Sequence, residues 1–139
     1  TIVVRYMSDT GSNGNQLDCL GQTHPNLTLV TNIYSVSATG NYLQCQVDTT
    51  SYGGTTTTGT TQNLVGGVSE LSALYGVDPT ASGSVTEYLT ATEVTSGSYW
   101  PNVRSVMVTL TFPNPISGQT PASFTVTRVI AVPQTTVSI

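Results

Sequence analysis

Apolar and polar side chains alternate along several short segments of this chain, and a period of two residues is what a half-buried β-strand requires. The pattern is clearest in Val103–Phe112, where one face carries Val106, Val108, Leu110 and Phe112. Thr, whose branched β-carbon suits a pleated strand surface, is the commonest residue of the chain. Both features predict a mainly β protein.

Seven segments are predicted as strands. They are Thr1–Met7, Leu27–Ser37, Tyr42–Asp48, Leu71–Val77, Val85–Val94, Val103–Phe112 and Ala122–Val132. Of these, Val85–Val94 is also compatible with a short helix. Thr39-Gly40-Asn41 is a turn signal that joins the second and third segments into the best predicted hairpin. About seven strands without a long helix predict one or more antiparallel sheets.

The remaining segments are predicted as connections. Ser8–Gln16 is polar and rich in Gly and Asn, and Thr49–Gln62 has low complexity and little to bury, so both are predicted as loops. Leu64–Ser69 is predicted as a short helical turn because its apolar residues approach a helical spacing. With a length of 139 residues and no internal repeat, we expect residues 1–139 to form a single globular β-rich domain.

Charge is scarce in this sequence, and this excludes some classes of partner. Only 7% of the residues are charged, the net charge is -4, and the three cations are Arg5, Arg104 and Arg128. Nucleic-acid binding and attachment to an anionic membrane surface both need clustered cations. We therefore expect neither a nucleic-acid partner nor a polybasic membrane patch.

The two cysteines, Cys19 and Cys45, predict a disulfide and an oxidising compartment. Two buried free thiols in a cytosolic protein are the alternative. The spacing of the two residues fits neither a zinc site nor a redox-active CxxC motif.

Residues for catalysis are sparse. The one histidine, His24, stands beside a proline and is expected to be an exposed loop residue, with no Gly-x-Ser-x-Gly motif to accompany it. The carboxylates are scattered, which does not favour a paired acid–base site. They are Asp9, Asp18, Asp48, Glu70, Asp78, Glu87 and Glu93. We expect no enzyme activity, no cofactor and no metal.

Two roles, packing and recognition, are considered for four of the aromatic residues. An exposed platform for a glycan or a partner is one hypothesis for Tyr42, Tyr52, Tyr99 and Trp100. Packing in a core or an interface is the commoner use of such residues.

One stretch is informative beyond its periodicity. Asn63–Asp78 (NLVGGVSELSALYGVD), together with the upstream Asp18-Cys19-Leu20-Gly21, resembles the globular part of the PilW-like minor pilins of bacterial type IV pili. These are related to the minor pseudopilins of type II secretion. The resemblance covers most of the chain in order, from the TIVVRY segment to the last predicted strand.

The resemblance implies which residues are structurally important. It aligns Cys19 and Cys45 with the two cysteines of the family. The other positions that match the family motifs are Asp18, Gly21, Leu64, Val68, Leu71, Tyr75, Gly76 and Asp78. In many PilW-like proteins an Asp- and Gly-rich loop resembling a calcium loop follows this stretch. Here Asp78–Ser84 keeps only Asp78 and Gly83 of that pattern, so a plain turn is expected.

The resemblance also implies a role. It predicts a pilin-type domain without its N-terminal helix, that is, a fragment of a longer chain. Such a subunit would pack against other pilins, or against itself, in a filament. The missing helix would anchor it in the inner membrane before assembly, and the expected final location is the cell surface.

Two other classes remain open from the residues alone. A self-assembling β-sandwich subunit of a fibre or capsid would show the same richness in Thr and Ser and the same low charge. A secreted adhesive or carbohydrate-binding module is the third hypothesis.

Overall fold

The computed structural model describes residues 1–9, 16–38, 41–116 and 118–132. The chain divides into two compact units, Thr1–Ser69 and Glu70–Ile139. We call them the N-terminal unit and the C-terminal unit. Every strand pairing that the structure describes is antiparallel.

The N-terminal unit is a five-stranded sheet. Its strands are β1 (Ile2–Met7), β2 (Leu29–Val36), β3 (Tyr42–Thr50), β4 (Thr56–Thr58) and β5 (Gln62–Gly66). The order is β1-β2-β3-β4, and β5 also pairs with β3. The long β3 therefore carries two short partners in succession.

The core of the N-terminal unit lies on one face of β2 and β3. Val30, Cys45 and Val47 are buried there. The side chains of Tyr6, Cys19, Leu20 and Tyr34 pack against them. The register places Tyr34 opposite Cys45 and Asn32 opposite Val47, so these four side chains share the core face.

The C-terminal unit is a four-stranded sheet with a short helix. Its elements are β6 (Glu70–Val77), β7 (Glu87–Leu89), α1 (Ala91–Ser96), a 3₁₀ helix (Trp100–Asn102), β8 (Val103–Pro113) and β9 (Ser123–Ala131). The strand order is β7-β6-β8-β9, which leaves β9 at one edge.

Helix α1 is set by a capping box. The Thr90 side chain accepts a hydrogen bond from the Glu93 N–H, and the Glu93 carboxylate accepts one from the Thr90 N–H. The helix buries Val94 in a cluster with Val77 and Val103. The capping box thus fixes the start of the helix so that Val94, its one buried residue, packs at the end of the sheet.

The mainly β, antiparallel prediction is confirmed, and so is the hairpin of β2 and β3. Two predictions are wrong. Leu64–Ser69 is not a helical turn, because Gln62–Gly66 forms β5, and the Thr49–Gln62 segment contains β4. In both cases pairing with β3 supplies backbone partners that local spacing does not reveal. The described residues thus form nine strands instead of about seven.

Three further predictions have mixed outcomes. Val85–Val94 holds both a strand, β7, and most of helix α1. Most of the Ser8–Gln16 loop and the residues Thr39 and Gly40 of the hairpin turn lie outside the described residues. The single domain stays a prediction, since each unit has its own core.

Candidate functional sites: two aspartate turns and an exposed apolar strand

The first candidate site is the Asp18 turn, residues 18–22. The Asp18 Oδ1 accepts hydrogen bonds from the N–H groups of Leu20 (2.8 Å) and Gln22 (2.9 Å). Its Oδ2 lies 2.8 Å from His24 Nε2. The main chain closes the turn, with Asp18 N–H donating to the Gln22 carbonyl and Gly21 N–H to the Asp18 carbonyl. Gly21 has φ +77°, which suits glycine at this corner.

These contacts set the charge of Asp18. Burial raises the pKa of this carboxyl, but the hydrogen bonds from Gln22, His24 and Leu20 outweigh burial and hold the pKa below its usual range. The buried negative charge acts on its neighbours in turn. Burial first, and Asp18 second, raise the pKa of the Tyr6 and Tyr34 hydroxyls. Asp18 is thus a buried, ionised carboxylate.

The expectation of an exposed His24 is wrong. Its side chain is only 13% exposed, and it pairs with an Asp18 side chain that is fully buried. His24 also lines a cleft of about 200 Å³ together with Gln22, Thr49 and Gln62. The His24–Asp18 pair ties the turn to the segment that follows it.

Two further contacts join the Asp18 turn to the sheet. A disulfide links Cys19 to Cys45 on β3, with 6.5 Å between the two Cα atoms. The Cys19 N–H donates to Asn32 Oδ1 on β2 at 3.2 Å. The disulfide follows the sequence prediction, whereas the role of Asn32 carries no local sequence signal.

The second candidate site is the Asp78 turn, residues 78–83. The Asp78 Oδ1 accepts hydrogen bonds from the Ser82 N–H (2.8 Å) and hydroxyl (3.0 Å), and Oδ2 accepts one from the Gly83 N–H (2.7 Å). The Asn102 side-chain amide donates to the Asp78 carbonyl at 2.9 Å. This links the turn to the 3₁₀ helix.

Asp78 is also ionised, but its neighbour differs from that of Asp18. Burial raises its pKa, and the hydrogen bonds from Gly83 and Ser82, with the charge of Arg104, lower it below the usual range. Arg104 Nε lies 3.8 Å from Asp78 Oδ2. No sequence pattern predicts this ion pair, because the two residues are far apart in the chain.

Asp78 organises the segment that was expected to be a plain turn. Both carboxylate oxygens of Asp78 already accept hydrogen bonds from Ser82 and Gly83. Within the described residues, no group of three or more His, Cys, Asp or Glu side chains could hold a metal ion. The geometry of Asp78 is that of a turn-forming aspartate.

The other family-motif positions divide between the two units. In the N-terminal unit, Leu64 is exposed on β5 and Val68 is buried just after it. In the C-terminal unit, Leu71, Tyr75 and Gly76 lie on β6. A side chain at Gly76 would collide with the Ser105 hydroxyl, which explains glycine at this strand position.

The four aromatic residues of the recognition hypothesis divide between the two units. Trp100 packs edge-on against Tyr75, with ring centroids 5.0 Å apart, and its indole N–H donates to Thr95 Oγ1. Tyr99 packs against the core of the same unit, while Tyr42 and Tyr52 belong to the N-terminal unit. Trp100 remains 46% exposed.

The third candidate site is the exposed strand β9. The register places Leu71, Leu110 and Val126 side by side across three strands. Along β9 this face consists of Phe124, Val126, Arg128 and Ile130, which we call the β9 face. Its three apolar side chains are between 48% and 57% exposed.

The two faces of β9 differ in character. The β9 face is apolar apart from Arg128, whereas the opposite face is mixed: Thr127 bonds Thr109 across the strands there, and Val129 is 56% exposed. Exposed apolar patches of this kind mark protein contact surfaces. No helix among the described residues is long and apolar enough to cross a membrane.

These features define a disulfide-bonded, antiparallel β protein with an exposed apolar strand. The family model of the type IV pilus-assembly protein W, PilW, matches residues 33–137, and the chain belongs to this family. Searches of curated proteins and of solved structures find no match.

Family membership gives the function in outline. The chain takes part in type IV pilus assembly and has protein partners in the pilus machinery; the family is one of assembly proteins and not a known enzyme family. Together with the disulfide, it indicates an extracellular or periplasmic location. The matched span contains Cys45 and residues 63–78 but begins after the Asp18 turn, whose family role stays a prediction.

Proposed function

We propose that this chain is a minor pilin whose globular part packs against other pilin subunits, and that it acts in initiation of the pilus or in a complex at its tip. It has no enzymatic role and needs no cofactor. In this proposal a helix that precedes the described residues anchors the chain in the inner membrane before assembly. The assembled protein is then displayed at the cell surface.

The observation that carries this proposal is the exposed β9 face. Burying Phe124, Val126 and Ile130 against a neighbour removes apolar surface from water. This stabilises the contact by a free energy of about 25 cal/mol for each Å² that is buried. Arg128 lies between Val126 and Ile130 on this face, so the neighbouring subunit must leave its guanidinium in water or supply a carboxylate, since burying an unpaired charge is expensive. Among the described strands β9 lies at a sheet edge, and covering such an edge prevents unspecific pairing of its backbone groups.

Piliated cells provide the test. In cells that lack the native gene, Val126→Asp or Ile130→Asp is expected to abolish surface pili, counted by electron microscopy, because each puts a charge into the apolar contact. Thr125→Asp, on the opposite face of the same strand, is the matched control and is expected to leave pili at the wild-type number. Melting temperatures of the purified variants confirm that all three fold.

Wild-type piliation with both β9 face variants would contradict the proposed packing surface. The minor role has its own measurement, which is the ratio of this chain to the major pilin in sheared filaments. We expect far less than one copy per major subunit. An equal or larger amount would favour a filament-forming subunit instead.

A further inference from the structure

The Asp18 turn is closed by contacts that do not involve sulfur. Its carboxylate bonds Leu20, Gln22 and His24, and its own backbone closes the turn through Gln22 and Gly21. Every partner lies within six residues of Asp18. The turn therefore has a set of bonds that can form before the disulfide does.

A second contact holds this turn close to Cys45 on β3. Asn32 is 5% exposed and accepts the Cys19 N–H. It lies on the core face of β2, where its opposite residue is Val47, and the next pair along that face is Tyr34 with Cys45. Holding the backbone of Cys19 at Asn32 therefore holds Cys19 beside Cys45.

We propose that Asp18 and Asn32 are positioning residues for thiol oxidation, which hold Cys19 next to Cys45 before the bond between them exists. Without them, the two thiols must find each other across a sequence separation of 26. Closing a flexible loop of that length costs chain entropy. A turn that is already ordered removes part of this cost.

The oxidation itself is ordinary thiol–disulfide exchange. One cysteine thiolate attacks a disulfide oxidant, such as glutathione disulfide or an oxidoreductase, and expels one thiol. The second cysteine thiolate then attacks the mixed disulfide, forms the Cys19–Cys45 bond and expels the second thiol. The protein loses two electrons and two protons, and the oxidant is reduced to two thiols. Asp18 and Asn32 take no part in the bond changes. They affect only the effective concentration of the second cysteine at the mixed disulfide.

Equilibration with glutathione buffers at one fixed pH tests this proposal. The equilibrium constant for forming the Cys19–Cys45 bond is obtained by alkylation of free thiols and mass spectrometry of the intact chain. Asp18→Asn is expected to lower this constant by about tenfold, because a neutral amide replaces the charged acceptor of the Leu20, Gln22 and His24 bonds and leaves the turn less ordered before the disulfide forms. Asn32→Ala is expected to lower it by about threefold, since it removes one neutral hydrogen bond.

The control separates positioning from general stability. Glu87→Gln removes a carboxylate charge from the other unit and is expected to leave the constant unchanged. If Asp18→Asn lowers the melting temperature of the oxidised and the reduced protein equally, the constant stays at its wild-type value, and the proposal is overturned.

Hydrogen exchange gives a second measurement that needs no variant. In the reduced wild-type protein, the amides of Leu20 and Gln22 are expected to keep most of the protection they have in the oxidised protein. Complete loss of that protection on reduction would show that the disulfide orders the turn, and would contradict the proposal even if Asp18→Asn failed to fold.

Discussion

The two units of this protein use the same device and secure it differently. In each, a buried aspartate accepts backbone N–H groups from its own turn, at Leu20 and Gln22 for Asp18 and at Ser82 and Gly83 for Asp78. The Asp18 turn is then attached to its sheet by a covalent bond, Cys19–Cys45. The Asp78 turn has no covalent bond of this kind, and its contacts with the rest of the unit include Arg104 and Asn102.

This difference shows what a turn needs in order to stay in place. In the Asp18 turn, Cys19 and Leu20 pack against the core of the N-terminal unit, and the disulfide adds a covalent attachment to this packing. The Asp78 turn directly follows Val77, which is fully buried with Val94 and Val103. It therefore begins at the core and needs no cross-link.

The largest expected effect follows from removing each aspartate. Asp78→Ala is expected to lower the melting temperature by roughly 10 °C or more, because it leaves the buried Nε of Arg104 without its counter-charge. Asp18→Ala is expected to lower it by about half as much, since exposed Gln22 can bond water instead. Calorimetry of the oxidised protein measures both.

Equal decreases of the melting temperature in the two variants would show that the partner of the aspartate does not affect its contribution to stability. The same scans test the single domain. One transition that shifts with either substitution would support it, whereas two transitions, each responding to one substitution, would show that the units unfold independently.

Acid is expected to have the next largest effect. Both aspartates have a folded pKa below the unfolded value of about 3.9. Their contribution to stability is therefore fully present above that value and is lost as the pH falls through the lower folded pKa. We expect the melting temperature to fall steeply below about pH 4.

Asparagine variants assign this acid sensitivity to the two turns. Asp18→Asn and Asp78→Asn are each expected to make the fall of melting temperature between neutral and acid pH shallower, since neither amide titrates. An acid slope that is the same in the wild type and in both variants would mean that other groups control it.

The smallest expected effect concerns the capping box of α1. Thr90→Ala is expected to reduce the free energy of unfolding by about 1 kcal/mol, because the Glu93 N–H loses its acceptor. Denaturant titration followed by the fluorescence of Trp100 measures this in the C-terminal unit. Thr92→Ala, in the exposed first turn of the same helix, is the control. No difference between the two variants would mean that Val94 packs equally well without the cap.

The strands that were predicted correctly are those with a clear alternation of apolar and polar residues. In β8 and β9, Val106, Leu110, Val126 and Ile130 have the predicted parity, and the register brings the two predicted faces together. β4 and β5 escaped prediction because Thr56–Thr58 and Gln62–Gly66 have little apolar alternation and are strands only through their pairing with β3. Non-local pairing of this kind leaves no local pattern.

The candidate sites likewise contain some residues that were identified from the sequence and others that were not. Asp18 and Asp78 were identified from the resemblance to a family, and the two cysteines already from their number, whereas Asn32 and Arg104 were not identified as partners of these residues. Asn32 lies 13 residues from Cys19, and Arg104 reaches Asp78 across the sheet. Contacts at such separations depend on strand register, which a single sequence does not determine.

The placement of the three arginines has a consequence for the resistance of the protein to proteolysis. Arg5, Arg104 and Arg128 are the only residues after which a trypsin-like protease can cut this chain, and they lie within β1, β8 and β9. A protease binds its substrate as an extended, unpaired segment, so each cut requires a strand to leave its sheet first. The resistance of the protein to such proteases is therefore governed by the opening of its sheets and not by its loops.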